Sequence, residues 1–155
     1  MSYTLDVNVL LYASDTQSPY YEGARAVVER TAAGPEIVYL FWPTVMSYLR
    51  LVTHPSIVPR PLPAAAAADN IEQLLGQPHV QSPGEQDGFW RQYREVAADA
   101  LPTGNLVSDA HIVALMWENG VRTIWTHDRD FRRFRGIDVR DPFGEPGRRS
   151  RVRRD

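Results

Sequence analysis

Short β-branched or aromatic runs alternate with longer helical stretches along nearly the whole chain, and this alternation constrains the fold most. Residues 3–5 with Val7, then 36–42 (EIVYLFW), 79–82 (HVQS), 121–126 (VRTIWT) and 137–140 (IDVR), read as strands. Residues 19–33, 43–52, 64–76, 84–101 and 106–119 read as helices. Their limits carry recognisable signals. Pro19 suits a first turn, Gly34-Pro35 and Gly120 are stops, and the alanine-rich 64–76 ends at Gly76. Within 84–101, Phe89, Tyr93, Val96 and Ala97 share one helical face. VPRPLP (58–63) reads as a rigid connector, PTGN (102–105) as a turn, and 128–134 as a short helical turn opened by acids. Strand and helix in alternation imply a parallel sheet covered by helices on both faces, a three-layer α/β/α domain. No internal repeat or dividing linker interrupts the pattern. The reading is one domain over 1–143 and an Arg-rich tail over 144–155.

Composition narrows the chemistry. At 155 residues and 43% hydrophobic, the chain matches one domain with a sizeable core. No apolar run approaches the length of a membrane-spanning helix, and MSYTLDVNV lacks the basic start of a signal peptide. A cytoplasmic protein is expected. With no cysteine, disulfides and thiolate metal sites are excluded. All 17 basic residues are arginine, which excludes a lysine-dependent phosphate loop and Schiff-base chemistry. Net charge is −2, but residues 148–155 (RRSRVRRD) carry five Arg and one Asp. That tail suits either contact with nucleic acid or a plain solvated terminus.

Four acids stand at junctions between apolar runs and polar turns: Asp6, Asp109, Asp128 and Asp130. Each alone has a structural reading. Asp6 can cap a helix, with Asn8 offering an Asx turn in the same place. Asp109 reads as a first-turn acid beside the apolar stripe Ala110, Val113, Ala114 and Trp117, with Ser108 as a possible cap. Asp128 or Asp130 can cap the turn that follows Thr126-His127. Together they suggest more, because ligands bind at the carboxyl edge of a parallel sheet. Carboxylates gathered there cannot all stay ionised without a counter-charge, and a hard divalent cation is the usual solution. His127 reads as a loop residue. His54 and His111 read as core residues, as do the aromatics Tyr39, Phe41 and Trp42.

These motifs are similar to those of PIN-domain ribonucleases, in particular VapC-type toxins of bacterial toxin–antitoxin pairs. The likeness is carried by LDVNVLLYA, WPTVMSYLRLVTHP, SDAHIVALMWENG and TIWTHDRDFRRFRGIDVRDPF, about residues 3–143. The resemblance implies Mg2+ or Mn2+ held by clustered carboxylates, RNA cleavage, a homodimer, and a VapB-type antitoxin that blocks the site. By motif, Asp6, Asp109 and Asp128 match the catalytic, metal-binding acids. Asp130 supplements them, and Asn8 and Thr126 match supporting polar positions. The chain departs from the pattern on the helix after the second strand. Relatives commonly carry a Glu there, this chain has Ser47, and no acid lies between Glu36 and Asp69. A subgroup with the F/Y-L-R motif, here Tyr48-Leu49-Arg50, tolerates the change. Arg50 has two readings, structural packing or a phosphate contact.

Two functions follow from this reading. One is a metal-dependent endoribonuclease toxin; the other is a catalytically weak PIN-like module that binds RNA or a protein, favoured by Ser47. A receiver-type phosphoacceptor needs a lysine that is absent. A haloacid-dehalogenase-like phosphatase needs an Asp at position 8 as well as a lysine.

Overall fold

The computed structural model describes residues 1–143, so the Arg-rich tail lies outside the described residues. Five strands form one parallel sheet in the order β3-β2-β1-β4-β5. They are β1 (Ser2–Leu5), β2 (Ile37–Tyr39), β3 (Val80–Gln81), β4 (Thr123–Trp125) and β5 (Asp138–Arg140). The helices are α1 (Val7–Ala13), α2 (Tyr21–Ala33), α3 (Trp42–Val52), α4 (Ala64–Leu75), α5 (Phe89–Ala100) and α6 (Asn105–Glu118). A 3-10 turn covers Arg129–Arg133.

Side chains alternate across the sheet and divide the core in two. Tyr3 and Leu5 of β1 and Val38 of β2 join α1–α4 in one apolar cluster. Ile124 of β4 joins α5 and α6 in the other, with Tyr39 packed against it. This is the expected three-layer α/β/α arrangement. Leu5 is fully buried, and truncating such a residue to Ala costs about 2–5 kcal/mol.

The chain winds outward from β1 to β2 and β3, then returns to place β4 on the other flank of β1. The order therefore reverses between β1 and β4, where α/β sheets open a crevice at their carboxyl edge.

Several expectations change at the boundaries. Val7 leaves β1 and opens α1. The run 36–42 supplies only three strand residues, because α3 begins at Trp42 with Pro43 in its first turn. Trp42 is 43% exposed, against its expected place in the core, whereas Phe41 is fully buried. Helix α2 starts at Tyr21, so Pro19 precedes it. Helix α5 starts five residues later than expected, after Gly84 and Gly88, both poor helix formers. Its Leu101 cap adopts a left-handed conformation. Neither His54 nor His111 is a core residue. His54 is exposed, and His111 is half-exposed and bonds Glu85 at 2.6 Å.

Candidate active site

Asp6 follows β1 directly and Asp128 follows β4 by two residues, so neighbouring strands deliver both acids to the crevice. The sheet ladder runs past the strand ends: the Asp6 amide donates to the Trp125 carbonyl at 3.0 Å. Thr126 completes the join. Its hydroxyl donates to Asp6 Oδ2 at 2.7 Å and accepts the Asp128 amide at 2.9 Å. One hydroxyl thus fixes the β1 acid against the β4 loop.

Asp109 arrives from a different direction. Helix α6 precedes β4 and must run opposite to it, which brings its N-terminal part to the carboxyl edge of the sheet. Its N-cap is Gly104, so the helix starts a turn earlier than a Ser108 cap would allow. Asp109 is the fifth helical residue, and the capping explanation for it fails. Beyond it, Ala110, Ile112, Val113, Ala114, Leu115 and Met116 are all buried. From Ala110 to Met116 the helix is therefore enclosed nearly all round, not along the single stripe expected, whereas its first turn is largely exposed and Trp117 is only half-buried.

Asp128 does cap the 3-10 turn, accepting the Asp130 amide at 2.9 Å. One carboxylate oxygen from each of Asp109, Asp128 and Asp130 lies within 4.8 Å of the other two. The span across the oxygen shell of a hard cation is similar, about 4–5 Å. Asp130 is therefore a full member of this group. Asp6 is not one of these three and is only 9% exposed. Helix α1 begins after Asp6, but the Asp6 side chain makes no capping bond.

Burial and nearby charge set the protonation of two of these acids, Asp6 and Asp109. Asp6 is pushed up to about 6, mainly by desolvation and further by the Asp128 charge. Bonds from Thr126 and the Val7 amide oppose that rise. Asp109 is raised to about 7, by burial first and then by the charges of Asp128, Asp6 and Asp130. The Asp6 and Asp109 carboxyls thus sit in a field that disfavours their negative charge, and a multivalent cation would relieve it.

Asn8 is half-buried in the first turn of α1. Ser47 is half-buried in mid-α3, and no α3 residue joins the carboxylate group. Arg50 is exposed in the last turn of α3. It stands about 12 Å along the helix axis from Trp42, the end nearer the crevice. His127 is a loop residue, as expected, and its Nδ1 pairs with Asp141 at 2.8 Å.

A parallel α/β/α domain with carboxylates converging beside its central strands defines a class of acidic-crevice proteins. The PIN domain family model matches residues 3–137. The chain belongs to the PIN domain family. It is 54% identical over 143 residues to Ribonuclease VapC48 of Mycobacterium tuberculosis, spanning 92% of this chain and 99% of that one. Ribonuclease VapC37 of the same organism is 32% identical over 137 residues, spanning 86% and 92%. Among solved structures, VapBC-1 from nontypeable Haemophilus influenzae superposes with a TM-score of 0.64 at 17% identity, covering 92% of this chain and 98% of that one.

Proposed function

We propose that this protein is a metal-dependent endoribonuclease and the toxin of a toxin–antitoxin pair, acting in the cytoplasm. The observation that carries the proposal is the approach of the Asp109, Asp128 and Asp130 carboxylates to within 4.8 Å of one another. The ribonuclease name of a relative 54% identical across nearly the full chain supports it. In this reading Asp6, Asp109 and Asp128 are the catalytic acids and hold Mg2+ or Mn2+, together with Asp130. A bound divalent ion supplies positive charge to a phosphoryl oxygen and acidifies its water. The protein's own part is orientation. Thr126 fixes Asp6, the 3-10 turn fixes Asp128 against Asp130, and α6 fixes Asp109. Asn8 supports this edge from α1. Arg50, exposed at the far end of α3, is poorly placed for a phosphate contact at the acids.

The partner is a VapB-type antitoxin, by analogy with the VapBC-1 assembly, and the active form is a homodimer. The alternative, a weakly catalytic module that binds RNA or a protein, rests on Ser47 and on the lack of any acid from α3 in the cluster.

Cleavage of total cellular RNA by antitoxin-free protein decides between them. Discrete fragments are expected with Mg2+ or Mn2+, and none with EDTA. Asp109→Asn should lower the rate at least about 100-fold, since charge stabilisation by a held metal is worth several kcal/mol. Metal-dependent cleavage that survives in Asp109→Asn would refute the assignment.

A further inference from the structure

Beside the acids lies an aromatic patch to which the motif reading gave no role. Tyr12 comes from α1, Tyr20 from the turn before α2, His127 from the loop after β4, and Phe143 from the end of the described chain. Tyr20 is the hub. Its ring centre is 5.1 Å from that of Tyr12, 4.9 Å from His127, and 4.7 Å from Phe143, which it stacks upon. Phe143 closes the cluster, at 5.7 Å from Tyr12 and 5.3 Å from His127. All four side chains are half-buried, so each keeps part of its surface in solvent.

Two links tie the patch to the acids. His127 is the residue before Asp128. Tyr12 has its phenol pKa raised, by burial first, then by Tyr20, Asp6 and Asp128, so it lies within the field of two of the carboxylates. Anchoring comes from Asp141, which accepts from both His127 and the Phe143 amide. Phe143 also packs closely over Gly23, where an added Cβ would come within 2.8 Å of the ring. The carboxylates repel an RNA backbone unless a cation intervenes, and they offer a base nothing to rest on. The aromatic patch supplies what they lack, π-surface beside the proposed cleavage point. Stacking of this kind accepts any base and suits an unpaired strand.

We infer that the Tyr12–Tyr20–His127 face is a nucleobase platform, on which one unpaired base next to the scissile phosphate of a single-stranded RNA stacks. The inference rests on the ribonuclease reading and adds a subsite to it.

The test uses fluorescein-labelled single-stranded 12-mer RNA of mixed sequence, with an abasic residue placed at each position in turn. Binding is measured by anisotropy with Ca2+, and cleavage with Mn2+. For the wild-type chain, the abasic scan should show one position where binding weakens about 10-fold, the scale of one base–aromatic stack. Tyr20→Leu keeps an apolar side chain at the hub but removes the π-face. It should weaken the intact RNA about 10-fold and abolish the abasic dependence, while Tyr20→Trp retains both. Tyr12→Leu should act in the same direction as Tyr20→Leu. KM should rise with little change in kcat. Circular dichroism melts of each variant establish that the fold is kept. An abasic profile unchanged in folded Tyr20→Leu and Tyr12→Leu overturns the platform, as does a wild-type chain that binds no RNA. A wild-type chain that shows the abasic position but cleaves nothing upholds the platform and refutes the ribonuclease reading.

Discussion

Asp6 and Asp130 are the same residue type in one site, and they are treated in opposite ways. Asp6 is enclosed and held by the Thr126 hydroxyl, and its own amide is bonded to the end of β4. Asp130 is 57% exposed and makes only a loose 3.7 Å approach to Arg133. The buried acid is fixed by the fold itself, so its charge is already oriented before any ligand arrives, at a cost in stability. The exposed acid costs the fold almost nothing and contributes only through what binds. The site is thus a rigid, strained back wall and an inexpensive open front.

Cutting the tie that holds the back wall should have the largest effect on stability. Thr126→Val keeps the shape but removes the donor to Asp6 and the acceptor for the Asp128 amide. A buried group left unpaired costs about 1–3 kcal/mol, and urea unfolding should show a loss of that size. Thr126→Ser should recover most of it. Equal stability of the Val and Ser variants would mean the bond is incidental.

A smaller effect separates the two walls by pH. Asp6 and Asp109 bind a proton more tightly folded than unfolded, with folded values of about 6 and about 7 against an ordinary 3.8. Between pH 4 and 7 the unfolded chain has lost these protons while the folded chain retains them. The stabilisation they bring is therefore full below pH 4 and is lost as pH rises through 6 to 7. Metal-free protein should melt a few degrees lower at pH 8 than at pH 5. At pH 8, Asp109→Asn should melt above the wild type without metal, a trade of stability for function. Added Mn2+ should stabilise the wild type more at pH 8 than at pH 6. A metal-free Asp109→Asn that melts below the wild type at pH 8 would show that Asp109 is not strained.

The same contrast explains what was legible in the sequence. The positions of the strands and the acids after β1 and β4 follow local patterns, and a carboxylate after a strand betrays its edge, whereas the strand order emerges only in the fold. Asp109 was legible only as one of a set, because an acid near a helix start has a ready reading as a first-turn residue; the Gly104 start places it in the fifth position. Exposure was harder still. Trp42 follows an apolar run yet opens a helix on the solvent side, and His111 faces Glu85 from 26 residues away. The aromatic patch joins positions 12, 20, 127 and 143, a meeting that no local pattern announces.

The open front gives the smallest effect and sharpens the comparison most. Asp130→Asn removes a charge whose ion pair with Arg133 is solvent-exposed on both sides, and such pairs are worth little. Metal-free stability should change by less than about 0.5 kcal/mol. The carboxylate nonetheless lies within 4.8 Å of Asp109 and Asp128. Its loss should weaken Mn2+ binding, seen by calorimetry, and reduce cleavage several-fold at limiting metal, with recovery at high Mn2+. Asp6→Asn should not recover in this way, because added metal cannot replace a charge that the fold has fixed in place. If excess Mn2+ rescued both variants equally, the distinction between a fixed wall and an open front would fail. If it rescued neither, Asp130 would belong with the buried acids despite its exposure.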